Sequence, residues 1–368
     1  MKKIGREVFF IDADENHPRN GEGSFLRLKN GGIMYAYTEF VGESRDDGSA
    51  ARISAWFSKD EGESWDGKRV LVERPEYALN VMCATLLRLG NGDIGLFYGV
   101  KTQRNGGLFM DVEMRRSSDE GLTWGEPVSC IGRYKGYYVY ENDRVIRLRS
   151  GRLLLTANLT EFTDFRTDES GKPVSYGNCI GKSAYFCSDD DGYTWRDTGN
   201  AVAIPFSGST TGLQESGTFE RDDGVLWSYS RTAFGSQYES FSSDGGISWS
   251  VPRPDEILTS AISPMAVGRF GGFVAAVMNP VPSVPGIAPC PGTWGRTPLA
   301  LRVSRDGGKT FRGDDFYLIE DDPKNGYCYP NLFDGGEYML VAYYHSGGNE
   351  ECCLTCAKIV KIEKSELF

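Results

Sequence analysis

Ser117-Ser118-Asp119-Glu120-Gly121-Leu122-Thr123-Trp124 has four near copies elsewhere in the chain. They are Ser58-Lys59-Asp60-Glu61-Gly62-Glu63-Ser64-Trp65, Ser188-Asp189-Asp190-Asp191-Gly192-Tyr193-Thr194-Trp195, Ser242-Ser243-Asp244-Gly245-Gly246-Ile247-Ser248-Trp249 and Ser304-Arg305-Asp306-Gly307-Gly308-Lys309-Thr310-Phe311. All five fit Ser-x-Asp-x-Gly-x-Ser/Thr-aromatic. The Gly permits the positive φ of a tight turn, the Asp can accept turn amides, and the ring is suited to packing between sheets. These are structural duties, repeated once per unit.

Between boxes the pattern is constant: an apolar strand, a Gly turn, a second strand, a variable insertion, a third strand entering the box, and a fourth after it. The first unit reads Ser24 to Leu28, a turn at Asn30-Gly31-Gly32, Ile33 to Tyr37, then Ala51 to Phe57. The second uses Ala84 to Leu89, Asn91-Gly92, Ile94 to Tyr98 and Met110 to Arg115, and the third Arg144 to Leu148, Ser150-Gly151, Leu153 to Ala157 and Ser183 to Cys187. Units four and five repeat this around Asp222-Asp223-Gly224 and Gly271-Gly272.

A sixth unit begins at Asn331-Leu332-Phe333, turns at Asp334-Gly335-Gly336, and ends with Cys352 to Val360 near the chain terminus. It has no box, because it runs out of chain before a fourth strand. Glu7-Val8-Phe9-Phe10-Ile11 is a strand-like leftover at the other end, and pairing it into unit six closes a ring and buries both open edges. Box spacings of 54 to 71 residues suit four-stranded blades with insertions. The expected fold is all-β, a single six-bladed β-propeller over residues 1–368 with five Asp boxes. No box Asp is a candidate for catalysis, since five equivalent hairpins cannot all serve one axial site.

Composition narrows the function. The net charge of −11 repels phosphate backbones and anionic headgroups, so nucleic acid and membrane are poor partners. Met1 to Asp12 has two lysines but no apolar run of signal-peptide length, and a native start there places the chain in the cytoplasm. Nine cysteines without framework spacing agree with a reducing compartment. Cys352, Cys353 and Cys356 lie in a strand-like run and read as small buried side chains; with His17 and His345 the only histidines, neither a metal nor another cofactor is expected.

Five boxes on six blades resemble the sialidase (neuraminidase) superfamily, a resemblance that covers nearly the whole chain. It implies a triad of arginines on the sugar carboxylate, a Tyr nucleophile activated by a Glu, and an Asp acid/base. Three guanidinium groups suit an anionic sugar, and a neutral Tyr avoids repulsion from its carboxylate. Glu215, in Gln214-Glu215-Ser216-Gly217, and Arg231, in Ser230-Arg231, match the family's activating Glu and second Arg. Arg296, in Gly295-Arg296-Thr297-Pro298, resembles the third; Arg302 is its rival but lies inside a strand, one position from a box. Tyr329, in Tyr329-Pro330-Asn331-Leu332, sits where the family places the nucleophile. Tyr327 projects to the same side if the segment is extended.

The first blade departs from the pattern. Where the family has Arg-Ile-Pro, this chain has His17-Pro18-Arg19-Asn20-Gly21-Glu22-Gly23. Arg19 is the candidate first arginine, and Glu22, nearer the strand, sets a carboxylate where a cation is expected. The acid/base falls in the Glu39 to Ser49 insertion, which offers Glu43, Asp46 and Asp47, with Asp46 preferred. Glu141-Asn142-Asp143-Arg144 enters blade three at the same relative position; either these four polar residues bind substrate hydroxyls or Asp143 and Arg144 pair with each other. Asn80, entering blade two, is a further binding candidate.

The resemblance therefore implies a metal-free exo-glycoside hydrolase that cleaves a terminal α-linked acidic sugar, sialic acid or a relative, with retention through a tyrosyl intermediate. Its partner would be a small acidic sugar or oligosaccharide. Two alternatives stand beside it: the same scaffold acting on another ulosonic or uronic acid, and a non-catalytic propeller that binds carbohydrate or protein.

Overall fold

A computed structural model describes residues 2–169, 173–204, 208–281, 291–311, 315–349 and 352–368. Six antiparallel sheets of four or more strands follow one another along the chain, and a small two-stranded sheet, Arg166–Thr167 with Pro173–Ser175, stands in the third one's insertion. Blade one is Asn20–Arg27, Ile33–Phe40, Ala51–Ser58 and Asp66–Val72; blade two is Asn80–Arg88, Ile94–Arg104, Gly107–Ser117 and Val128–Ser129. In blade three the innermost strand is split into Tyr138–Val139 and Val145–Arg147, both on Leu153–Phe162, followed by Cys179–Ser188 and Arg196–Val202. Blade four is Gln214–Glu220, Leu226–Arg231, Tyr238–Ser242 and Arg253–Pro254; blade five is Ala266–Phe270, Phe273–Met278, Leu299–Ser304 and Phe316–Glu320.

Blade six takes Tyr327–Asp334, Tyr338–His345 and Cys356–Glu363 from the C-terminal end, and its outer strand is the N-terminal Arg6–Ile11, paired antiparallel from Arg6↔Lys361 to Ile11↔Ala357. The ring closes as the missing sixth box requires. Its third strand starts at Cys356 rather than Cys352, because Cys353 turns inward to pack with Cys328 and Tyr344.

Apolar residues from facing sheets form a cluster at each seam. One joins Ile11, Tyr35 and Leu340 across blades six and one; another joins Trp227, Tyr229 and Val274 across four and five. The box aromatics reach back to the preceding blade: Trp249 stacks on Tyr185 at 4.1 Å and Phe311 lies 5.7 Å from Trp227. Within the box at Ser304, Asp306 accepts from Ser304 Oγ, Thr310 N and Thr310 Oγ1 at 2.7 to 2.9 Å. The box follows the third strand, so antiparallel pairing places it at the end of the sheet opposite to where the innermost strand begins.

Those beginnings share one distortion. In blades one, two, four and six the innermost strand carries a register shift, and its residue at the shift is left-handed: Glu22 (φ 53°), Cys83 (62°), Glu215 (50°) and Tyr329 (55°). Asp143 (56°) holds the equivalent place in blade three, where the strand is interrupted. A non-Gly residue in this region is uncommon and is held there by its surroundings. A bulge re-aims its side chain. Four of these five line the axial pocket.

Candidate active site

The pocket is a cleft of about 250 Å³ at that end of the axis. Blade one supplies Arg19, Glu22 and, from its insertion, Asp47. Blade two supplies Cys83 and Lys101, blade three Glu141 with Tyr137 and Tyr176, blade four Glu215 and Arg231, and blade six Tyr329. A separate cleft between blades four and five, about 300 Å³ with Glu239, Arg253 and Lys309, lies away from all these groups.

Tyr329 Oη donates to Glu215 Oε1 at 2.6 Å. Arg231 Nη1 reaches both Glu215 oxygens, at 2.7 and 2.6 Å, and Tyr329 Oη at 3.3 Å. Glu215 is brought to the tyrosine by its bulge, and its carbonyl is held from below by Arg144 Nε at 3.2 Å. Burial, then the neighbouring Glu215 carboxylate, raises the Tyr329 hydroxyl well above the usual phenol range, against the pull of Arg231 and Arg296. The resting tyrosine is therefore neutral. Glu215 is placed to accept its proton, with Arg231 beside both partners.

Across the pocket Arg19 is buried and fully engaged. It donates to Glu22 Oε1 at 2.6 Å, to Asp47 Oδ1 at 2.5 Å and to Tyr344 Oη at 2.9 Å. Glu22 also faces Cys83 Sγ at 3.5 Å. Partial desolvation at the pocket rim raises the Asp47 carboxyl, whose side chain is still 66% exposed, but Arg19 and Lys101 outweigh it and hold the group down at about 2. Glu141 moves the other way: burial, then Glu22 and Glu215, push it well above the carboxylate range. One carboxyl is thus kept ionised and another protonated around a single cavity, the kind of separation that acid/base chemistry uses.

Several expectations need correction. Asp46 and Asp47 are both exposed, but Asp46 is bonded to Ser44 and is not among the pocket residues, whereas Asp47 reaches Arg19 at the pocket rim. Tyr327 is buried against Tyr343 and His345, because the bulge between Cys328 and Asn331 breaks the alternation that would have set it beside Tyr329. Arg296 lies behind Tyr329, its Cζ 5.4 Å from that ring, and does not line the pocket. The three arginines therefore do not converge: Arg19 and Arg231 share the cavity and Arg296 backs it. Arg302 is a strand residue over Phe316.

Asn80 Nδ2 donates to the carbonyls of Asp47 and Ser49 at 2.7 and 3.1 Å, so it shapes the acidic loop from outside the pocket. Asp143 and Arg144 form no ion pair with each other. Asp143 accepts from Ser24 Oγ at 2.6 Å and from Asn331 Nδ2, and lines the opposite mouth of the axial channel. Arg144 spans the axis to the carbonyls of Glu215 and Met265. Both brace the pocket from below.

Lys101 was not singled out from sequence, whereas Glu141 was quoted among the four polar residues that enter blade three. Lys101 pairs with Asn80 on blade two's second strand, two residues beyond Gly99, which holds the register place that Arg231 has in blade four. Among the described residues, no group of three or more His, Cys, Asp or Glu side chains is arranged to hold a metal ion, and no helix is long and apolar enough to cross a membrane.

A six-bladed propeller with box turns at one end and a tyrosine–glutamate pair at the other defines the class. The BNR repeat-like domain family matches residues 33–341, and the chain belongs to it. No curated protein sequence matches the chain significantly. Among solved structures, a protein of unknown function from Dyadobacter fermentans superposes with a TM-score of 0.71 at 18% identity, over 97% of this chain and 99% of that one. The NanB sialidase from Streptococcus pneumoniae gives 0.69 at 14% over 100% and 71%, and the intramolecular trans-sialidase from Ruminococcus gnavus 0.66 at 13% over 98% and 97%. At these identities the likeness establishes a shared sialidase-like fold.

Proposed function

We propose that the protein is an exo-acting, retaining glycoside hydrolase for a terminal α-linked acidic sugar, acting in the cytoplasm on small saccharides. The observation that carries this reading is the 2.6 Å hydrogen bond from Tyr329 Oη to Glu215 Oε1 inside a cavity of sugar size, with Arg231 on both. Tyr329 attacks the anomeric carbon while Glu215 takes its proton and the bond to the aglycone oxygen breaks, that oxygen leaving with a proton from Asp47. Water then displaces the tyrosine, giving a proton to Asp47 while Glu215 returns one to Tyr329. Asp47 takes the acid/base part first assigned to Asp46. A sugar carboxylate that binds Arg19 competes with Asp47 for the guanidinium, so Asp47 loses its strongest cation and becomes able to carry a proton.

A specific observation favours the second reading, a substrate other than sialic acid. Arg19 is saturated by Glu22 and Asp47, and Arg296 is outside the cavity, so the carboxylate grip is weaker than three free arginines would give. A panel of fluorogenic α-glycosides of sialic, other ulosonic and uronic acids separates the readings. Turnover of any member with inversion, or of none, contradicts the proposal; turnover confined to the non-sialic members selects the second substrate class.

A further inference from the structure

Arg296 carries a charge into a dry place without a carboxylate. It is buried; its Nε and Nη2 donate to the Ile262 carbonyl at 3.2 and 3.1 Å, and no described Asp or Glu forms an ion pair with it. Two rings, Trp294 and Tyr329, lie against it, and its remaining described hydrogen-bond partners are sulfur. Nη1 lies 3.3 Å from Cys328 Sγ and 3.5 Å from Cys353 Sγ, and the two sulfurs are 3.4 Å apart with both residues fully buried. A guanidinium removed from water needs an anion close by, and these sulfurs are the only ionisable atoms among its hydrogen-bond partners.

We propose that Cys328 and Cys353 carry one negative charge between them as a thiol–thiolate pair, the counter-ion of Arg296, and that this unit is a positioning device for Tyr329. Cys353 releases its proton to solvent; Cys328 keeps its own and donates it to the Cys353 sulfur. The hydrogen bond from Cys328 and then the charge of Arg296 hold the Cys353 thiol down at about 6, while burial pushes the Cys328 thiol up. The link to the site is short. Cys328 precedes Tyr329 in the chain, Arg296 stacks behind the Tyr329 ring, and Tyr344, packed in the same cluster as both cysteines, meets that ring edge-on at 5.8 Å.

The other charged and titratable groups facing the unit are Tyr329 on the strand of Cys328, Tyr344 with its partner Arg19 on the neighbouring elements, and Glu215 and Arg231 across the axis. Neutralising Cys353 leaves Glu215 as the carboxylate that acts on Arg296. That pulls on the carboxylate which Tyr329 and Arg231 already share.

The test is the ultraviolet absorbance of thiolate in the native full chain, titrated alongside Cys353→Ser and Arg296→Met, with folding checked by thermal melting. One thiolate with a midpoint near pH 6 is expected, absent in Cys353→Ser and moved up toward the ordinary thiol value of about 8.5 in Arg296→Met. If Cys353→Ser does not fold, the Arg296→Met comparison decides alone. Identical titrations of native protein and variants, or a Cys328–Cys353 disulfide found by mass in protein purified without oxidant, overturn the proposal. The effect on turnover rests on the Tyr329 reading, whereas the absorbance does not, so the two fail separately. Given turnover, Cys353→Asp, which keeps an anion, retains the acid limb of the pH profile within about threefold, and Cys353→Ser loses it about tenfold.

Discussion

Tyr329 and Glu215 lie 114 positions apart in the chain, yet both occupy the left-handed residue of a strand bulge and meet at 2.6 Å on the propeller axis. The pair exists because two blades make the same backbone distortion. If that contact creates the nucleophile, Tyr329→Phe lowers kcat by at least roughly a thousandfold, while the melting temperature stays within a few degrees, since the ring and its contacts remain. Steady-state kinetics with a glycoside selected from the panel, beside a thermal melt, checks both halves.

Glu215 is also the anion of Arg231, with side-chain exposures of 10% and 14%. Glu215→Gln strands a largely buried guanidinium and is expected to destabilise the chain by about 3 to 5 kcal/mol. The double change Glu215→Gln/Arg231→Met recovers much of that loss by removing the charge. Denaturant unfolding of the two variants tests this; a double variant no more stable than the single one would mean that the pair is not what holds this region.

Asp143 provides a stability signal in pH. Burial raises its carboxyl to about 7 in the folded chain, against the lowering effects of Ser24, Arg144 and Asn331. Between about pH 4 and 7 the folded protein holds a proton that the unfolded chain has lost, so stability falls as pH rises through that window and levels off above it. Glu141 is shifted in the same direction and adds to the slope. Asp143→Asn is expected to flatten the dependence by up to about 4 kcal/mol, at roughly 1.4 kcal/mol per pKa unit. Unfolding measured at several pH values reads the slope, and equal slopes for both proteins would contradict the assignment.

The boxes serve as a control. Asp306 accepts four hydrogen bonds from its own turn and lies at the far end of its sheet from Tyr329. Asp306→Ala is expected to cost about 1 to 2 kcal/mol in stability and to leave kcat unchanged. A large loss of kcat in folded Asp306→Ala would give the box a part in chemistry that its position denies.

How much of this was legible in the sequence follows from the kind of signal each feature leaves. The five boxes carry their own turn chemistry, and the boxless sixth unit required an outer strand from elsewhere, so both the blade count and the pairing of Arg6–Ile11 could be read directly. Glu215, Arg231, Arg19 and Tyr329 were singled out by resemblance to a family's motifs, and the fold brings all four to one cavity. What escaped depends on left-handed backbone at residues other than glycine, which no local propensity announces. Tyr327 was set beside Tyr329 on the assumption of an extended strand, and the bulge turned it away. That Asp47 rather than Asp46 reaches the pocket rim is settled by Arg19, a residue outside their loop. Arg296 was given the right neighbourhood and the wrong face, because its partners Cys328 and Cys353 come from two separate segments of blade six.

The central claim is that Tyr329 becomes covalently bonded to the sugar. Incubating the protein with a 2,3-difluoro derivative of an accepted acidic sugar slows hydrolysis of the glycosyl intermediate, and peptide mass spectrometry locates the adduct. The account predicts one sugar per chain on the peptide containing Tyr329, absent in Tyr329→Phe. An adduct on Glu215 or Asp47, or steady turnover with no adduct at all, would contradict it.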